Sequence, residues 1–251
     1  MHRLTLLGFA LVGFACSPAG PVQSEWSPSP PPEGKAADPT TSPADPATLA
    51  QMHALLGSTE TLRELASRGE SDALRAEAKA FAASLRPSDT VPEGWRDPLD
   101  LVHAEAVVLS EHTDDATAAK ALARIAQTCG DCHQSAGAQD SVSHALDRGP
   151  SPDVGETEAE AMLIHRWSTG QMWDSLVAPD GDRWIEGTTM FVMLPSCAER
   201  GTSADQAQRC KQARAIARKA HVVTDARGRT ALMGELLSTC APCHRAAQQS
   251  P

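Results

Sequence analysis

The sequence has no run of alternating apolar and polar residues at strand period anywhere in its 251 residues, which excludes a half-buried sheet as the organising layer. It has no glycine-rich loop placed to cradle a phosphate, and no Ser/His/Asp or Cys/His grouping arranged as an activated nucleophile. Basic charge is scarce: 22 Lys and Arg stand against 32 Asp and Glu, a formal charge of −10. A field of that sign disfavours nucleic acid and anionic lipid headgroups as partners and steers a basic protein toward the surface. Long apolar stretches are missing as well, because the run over residues 4–15 is too short to span a bilayer.

What is there begins with two short motifs. Cys129-Gly-Asp-Cys132-His133 and Cys240-Ala-Pro-Cys243-His244 both read C-x-x-C-H. At this spacing two thiols reach the two vinyl groups of one haem while the adjacent imidazole lies beneath the iron. Each motif is preceded by Thr (Thr128, Thr239) at the end of a helical apolar pattern. A zinc ribbon would set its Cys pairs about 15 to 20 residues apart, whereas Cys129 and Cys240 are 111 positions apart. A thioredoxin-like pair would follow a strand. The expected cofactors are therefore two covalently bound haem c groups, with His133 and His244 as proximal iron ligands.

The remaining cysteines fit an exported chain. Residues 1–15 read as a signal peptide, with Arg3 before the apolar run. Cys16 follows the small residue Ala15, as where a bacterial lipoprotein is cleaved and lipidated, although Gly13 stands where a leucine-like residue is usual. Residues 16–46 are dense in Pro, Ser, Gly and Ala and read as a disordered, extended tether. The expected location is the periplasm or the cell surface, with membrane attachment only through Cys16. In that oxidising setting Cys197 and Cys210 read as a disulfide closing a short loop, worth roughly 3 kcal/mol on the loop-entropy model.

Shifting the chain by 110 positions superimposes its halves: Met52 meets Met162, Thr59 meets Thr169, Leu62 meets Met172, Leu74 meets Trp184 and Phe81 meets Phe191. At 111, Ile125 meets Leu236 and the two motifs coincide. Apolar residues recur at helical spacing, as in Met52, Leu55, Leu56, Thr59, Leu62 and Ala66. The pattern predicts helices over 47–68, 71–86, 98–112 and 114–136, then 156–177, 182–194, 204–222 and 225–247. The fold class read from this is all-α: two tandem four-helix-bundle haem domains, 47–137 and 156–248, joined by a linker over 138–155.

A bundle of four helices with C-x-x-C-H near the end of the fourth resembles the cytochrome c prime family, the class II c-type cytochromes, and its methionine-ligated relatives. The resemblance covers each half separately. It implies a proximal histidine from the motif and a distal residue from the first helix. That family carries an aromatic and a basic residue soon after the haem histidine, and neither residues 134–137 nor 245–248 supply both.

Met52 and Met162 are the aligned distal candidates. His165, on one face with Met162, Thr169 and Met172, is the alternative in the second half, while His53 points off its stripe. His103, His112, His144 and His221 do not repeat and read as surface or capping residues. The resulting expectation is an exported diheme c-type cytochrome that transfers single electrons to and from a redox partner protein with a basic surface. The alternatives are a module binding nitric oxide or carbon monoxide at an open iron and, behind it, a diheme peroxidase-like enzyme.

Overall fold

The computed structural model describes residues 46–85, 91, 93–112, 114–146, 148–153, 157–194 and 203–248, and the described residues are helical with no strand among them. The signal segment, Cys16, the Pro/Ser-rich stretch and Cys197 lie outside them. The first half holds α1 (Pro46–Arg68), α2 (Ser71–Ser84), α3 (Glu93–Glu111) and α4 (Asp115–Ser135); a short α5 (Gln139–Ala145) follows. The second half holds α6 (Glu158–Val177), α7 (Gly181–Met193), α8 (Ala204–His221) and α9 (Ala226–Gln248).

Local chemistry explains where these helices begin. The Asp114 side chain accepts from the Thr117 backbone N–H at 2.8 Å, satisfying one of the orphan donors of the first turn. Thr157 with Glu160 and Ser203 with Gln206 form reciprocal capping boxes. α3 starts at Glu93 and carries Pro98 inside it, five residues before the boundary that Pro98 itself suggested. Pro98 is the sixth residue of the helix, so its ring removes one bond, to the carbonyl of Gly94, just past the four N–H groups that have no partner at any helix start. α5 falls in the stretch read as a linker, and Gln139 Nε2 donates to the Pro179 carbonyl while Arg183 donates to the carbonyls of Ser143 and Leu146. Those side-chain contacts hold a segment too short to be stable as an isolated helix.

The repeat is visible in the packing. Leu62 and Met172, Leu74 and Trp184, Phe81 and Phe191, and Ile125 and Leu236 are buried pair by pair. All belong to one continuous apolar cluster that includes residues of both halves, and the described helices form a single compact unit. α4 and α9 make the most extensive helix contact. They run antiparallel, since Arg245 near the end of α9 reaches Asp115 at the start of α4, with 3.0 Å between Nη1 and Oδ1. α1 lies against α9 and α6 against α4, so each first helix rests more on the last helix of the other half than on that of its own. The hairpins α2–α3 and α7–α8 cover the outside.

Arg148, in the connection after α5, ties the halves together. It donates to both carboxylate oxygens of Asp174 on α6, through Nε and through Nη2 (2.8 Å to Oδ1), and Nη2 also reaches Glu60 of α1 at 2.9 Å. Asp174 is fully buried; burial raises its carboxyl above the usual carboxylate range, and Arg148 pulls it back. Gly170 makes room, because a Cβ there would lie 2.7 Å from Arg148 Nε. Removing Arg148 leaves the buried carboxylate with only the more distant Arg183, 3.9 Å away, which costs about 3 kcal/mol. Arg148→Met is therefore expected to lower the urea unfolding free energy by about that amount, and adding Asp174→Asn to recover part of it.

Candidate functional site

The two motifs occupy the ends of the central helix pair. Because α4 and α9 are antiparallel and each motif lies near its helix's C-terminus, the motifs sit at opposite ends. His133 lies 18 positions beyond Asp115, about 27 Å along α4 at 1.5 Å per residue, and Asp115 is the residue that Arg245, next to His244, reaches. Among the described residues no three His, Cys, Asp or Glu side chains converge on one point; the four motif cysteines form two separate pairs.

The first motif is lodged against the end of α6. Gly130, between the cysteines, is buried, and a Cβ there would stand 2.0 Å from the Leu176 carbonyl oxygen, so only glycine lets α4 approach this closely. One turn on, His133 Nδ1 is 2.7 Å from the Val177 carbonyl. The carbonyl can only accept, so Nδ1 carries the proton and donates, and Nε2 keeps its lone pair for a metal. Cys129 and Cys132 share that face of α4. Burial, reinforced by Cys132, pushes the Cys129 thiol up to about 12.

The second motif is seated the same way by different residues. Arg245, next to His244, donates to Asp115 of α4 and, at 3.4 Å, to the Gly69 carbonyl that ends α1. Burial and Cys243 raise the Cys240 thiol to about 12. Burial and the Arg68 charge lower the pKa of His244, keeping its imidazole neutral and able to ligate. A cleft of about 740 Å³, counted out to its solvent mouth, opens beside this motif; it is lined by Cys240 and His244 of α9, by Met162, His165 and Thr169 of α6, and by Arg63 and Arg68 of α1. The cleft exists because the first and last helices of the same half touch only lightly.

Within it the two distal candidates are placed differently. Met162 is 41 % exposed at the rim. His165 is turned inward, its ring edge-on to Phe191 at 4.5 Å between centroids. Burial, reinforced by the nearby His244, lowers its pKa to about 4. In the first half Met52 is half-buried on α1 and His53 is exposed. The repeat puts Leu55 where the second half has His165, so the first half has no inward histidine at that place.

Cys210, on α8, is in a disulfide; its expected partner Cys197 lies outside the described residues. His112 is buried rather than at the surface, and its Nδ1 donates to the Leu109 carbonyl at 2.5 Å, the capping role expected of it. Sequence reasoning missed Arg63, Arg148, Trp173 and Asp174. Arg63 left a trace, standing four residues after Thr59 on the apolar stripe of α1, where a cation is out of place. Arg148 left none.

At the first motif a pair of uncharged thiols stands with a histidine whose tautomer a carbonyl fixes; at the second, a like pair stands with His244, with the neutral His165 ring across the cleft and guanidinium groups beside it. No protein-family model matches the chain, and neither a curated protein nor a solved structure does. Among the described residues no helix is long and apolar enough to cross a membrane.

His165 generates a pH dependence. Its folded pKa of about 4 lies below the ordinary imidazole value of 6.5, so between these values the unfolded chain binds a proton that the folded chain does not. The stability of the cofactor-free chain should therefore fall as pH drops from 6.5 toward 4, by about 3 kcal/mol in total. Urea titrations across this window test it: His165→Leu should flatten the slope, and an unaltered slope would assign the effect to other groups.

Proposed function

We propose that this chain is an exported diheme c-type cytochrome that carries single electrons. The observation that carries the reading is the pair of C-x-x-C-H motifs, each on a helix end with its histidine seated beside a buried thiol. When bound, a c-type haem supplies reversible one-electron chemistry at its iron.

The chain's own residues attach, orient and shield. Cys129 with Cys132 and Cys240 with Cys243 would hold the two haems, each S–H adding across a vinyl group so that sulfur bonds one vinyl carbon and the hydrogen goes to the other. Nothing is oxidised or reduced in that step. His133 offers Nε2 because Val177 holds Nδ1–H, and His244 offers a neutral ring. Inward placement favours His165 as the residue that would ligate the iron from across the second cleft, with Met162 at the rim as the alternative, and in the first half Met52 would do so. A bis-histidine centre and a histidine–methionine centre differ in potential, since the thioether favours reduced iron. The acidic surface suits a basic redox partner, and the lipid on Cys16 would hold the carrier at a membrane.

Expression in a host with a cytochrome c maturation system provides the test. Intact mass should show two haem additions that survive acid-acetone extraction, and the reduced protein should not bind carbon monoxide. His165→Ala should open the second site alone to carbon monoxide, and Met52→Ala the first alone. Extractable pigment would defeat the covalent reading. Carbon monoxide binding to both irons of the unaltered protein would favour gas binding over electron transfer.

A further inference from the structure

At the offset of the repeat, Arg63 of α1 corresponds to Trp173 of α6. Both are sealed inside, Arg63 at 2 % exposure and Trp173 at 0 %. Each holds a buried nitrogen with no acceptor: Nε of Arg63 and Nε1 of Trp173. An unmet buried donor costs about 1 to 3 kcal/mol, and native folds rarely retain one without a reason. Other buried polar atoms are also unpartnered, among them His112 Nε2 and Arg214 Nε. Among the described residues only Arg63 and Trp173 are so at matching positions of both copies, which points to a shared missing acceptor.

The placement says what that acceptor accompanies. Arg63 lines the cleft that holds Cys240 and His244. Its Nη2 is engaged by Glu60 at 2.8 Å, which leaves Nε. Trp173 stands one turn before Val177 on the same face of α6, and the Val177 carbonyl is the one that takes the His133 N–H. Each orphan thus belongs to the first helix of one half and lies beside the motif of the other. The charge of the second cleft says what kind of acceptor it is. Among the described residues Arg63, Arg68 and Arg166 line it with Glu64 as the only carboxylate, a cationic lining inside a chain of net charge −10. A haem presents two propionate carboxylates.

We propose, resting on the haem reading above, that Arg63 and Trp173 are positioning residues that donate to haem propionates across the halves. Arg63 serves the haem on Cys240 and Cys243, and Trp173 serves the haem on Cys129 and Cys132. Each site is then incomplete without the opposite half, and the two haems feel unlike donors, a cation in one and a neutral indole in the other.

The test uses the full haem-loaded chain with Arg63→Leu, Arg63→Lys and Trp173→Phe. The readouts are the paramagnetically shifted haem-methyl resonances of the oxidised protein, assigned to each motif, and the midpoint potential of each haem. Arg63→Leu should move the methyl resonances and lower the potential of the His244 haem while leaving the His133 haem in place; Arg63→Lys should retain most of the parent values. Trp173→Phe should move the His133 haem alone. Should Arg63→Leu not fold, Arg63→Lys and Trp173→Phe still decide. Effects confined to the haem of the substituted residue's own half, or absent from both haems, would overturn the inference and leave the haem reading intact. A parent chain with no haem mass on either motif would overturn both.

Discussion

α4 and α9 pack together more extensively than any other pair of described helices, with Gly234 standing opposite Ala119 and Lys120. Their antiparallel packing determines most of what surrounds them. It sends the two motifs to opposite ends and brings Arg245 against Asp115. It also leaves the first helix of each half resting on the last helix of the other. A gap between first and last helix within one half follows, and in the second half that gap is the cleft beside His244.

The second constraint is electrostatic. The chain is acidic overall, yet it buries guanidinium groups at the crossing of α1 and α6, where Arg148 holds Asp174 and Glu60, and Glu60 in turn holds Arg63. Burial alone would raise the Glu60 pKa, but Arg63 and Arg148 bring it below its ordinary value. A network of this kind fixes geometry more than it adds stability, because the desolvation of its members offsets much of their attraction. What it fixes here is the spacing of the two helices that wall the second cleft. Gly170, an unfavourable residue for a helix interior, has its explanation in the guanidinium stacked over it.

The two sites have diverged where chemistry is decided and stayed alike where packing is decided. Leu62 matches Met172 and Ile125 matches Leu236, all buried. His165 is matched by Leu55, and Arg63 by Trp173. Under the function proposed above, these unlike neighbours would give the two centres unlike affinities for an electron.

Helix identity, the repeat and the attachment motifs were legible in the chain itself, because they depend on spacing: 3.6 residues per turn for the apolar stripes, three positions between thiols, one more to the histidine. Caps such as Asp114 and Thr157 were equally local. The boundary of α3 was not, since Pro98 is tolerated inside the helix, and α5 was not, since its order comes from Gln139 and Arg183 reaching distant carbonyls. Only the tertiary structure decided that the halves share one core, that Gly130 must be glycine because Leu176 lies against it, and that His133 gives its proton to Val177. The same holds for Arg148 and for the inward turn of His165 relative to Met162. These depend on which helix faces which, and that is set by packing between residues 26 or more positions apart, about which local spacing carries no information.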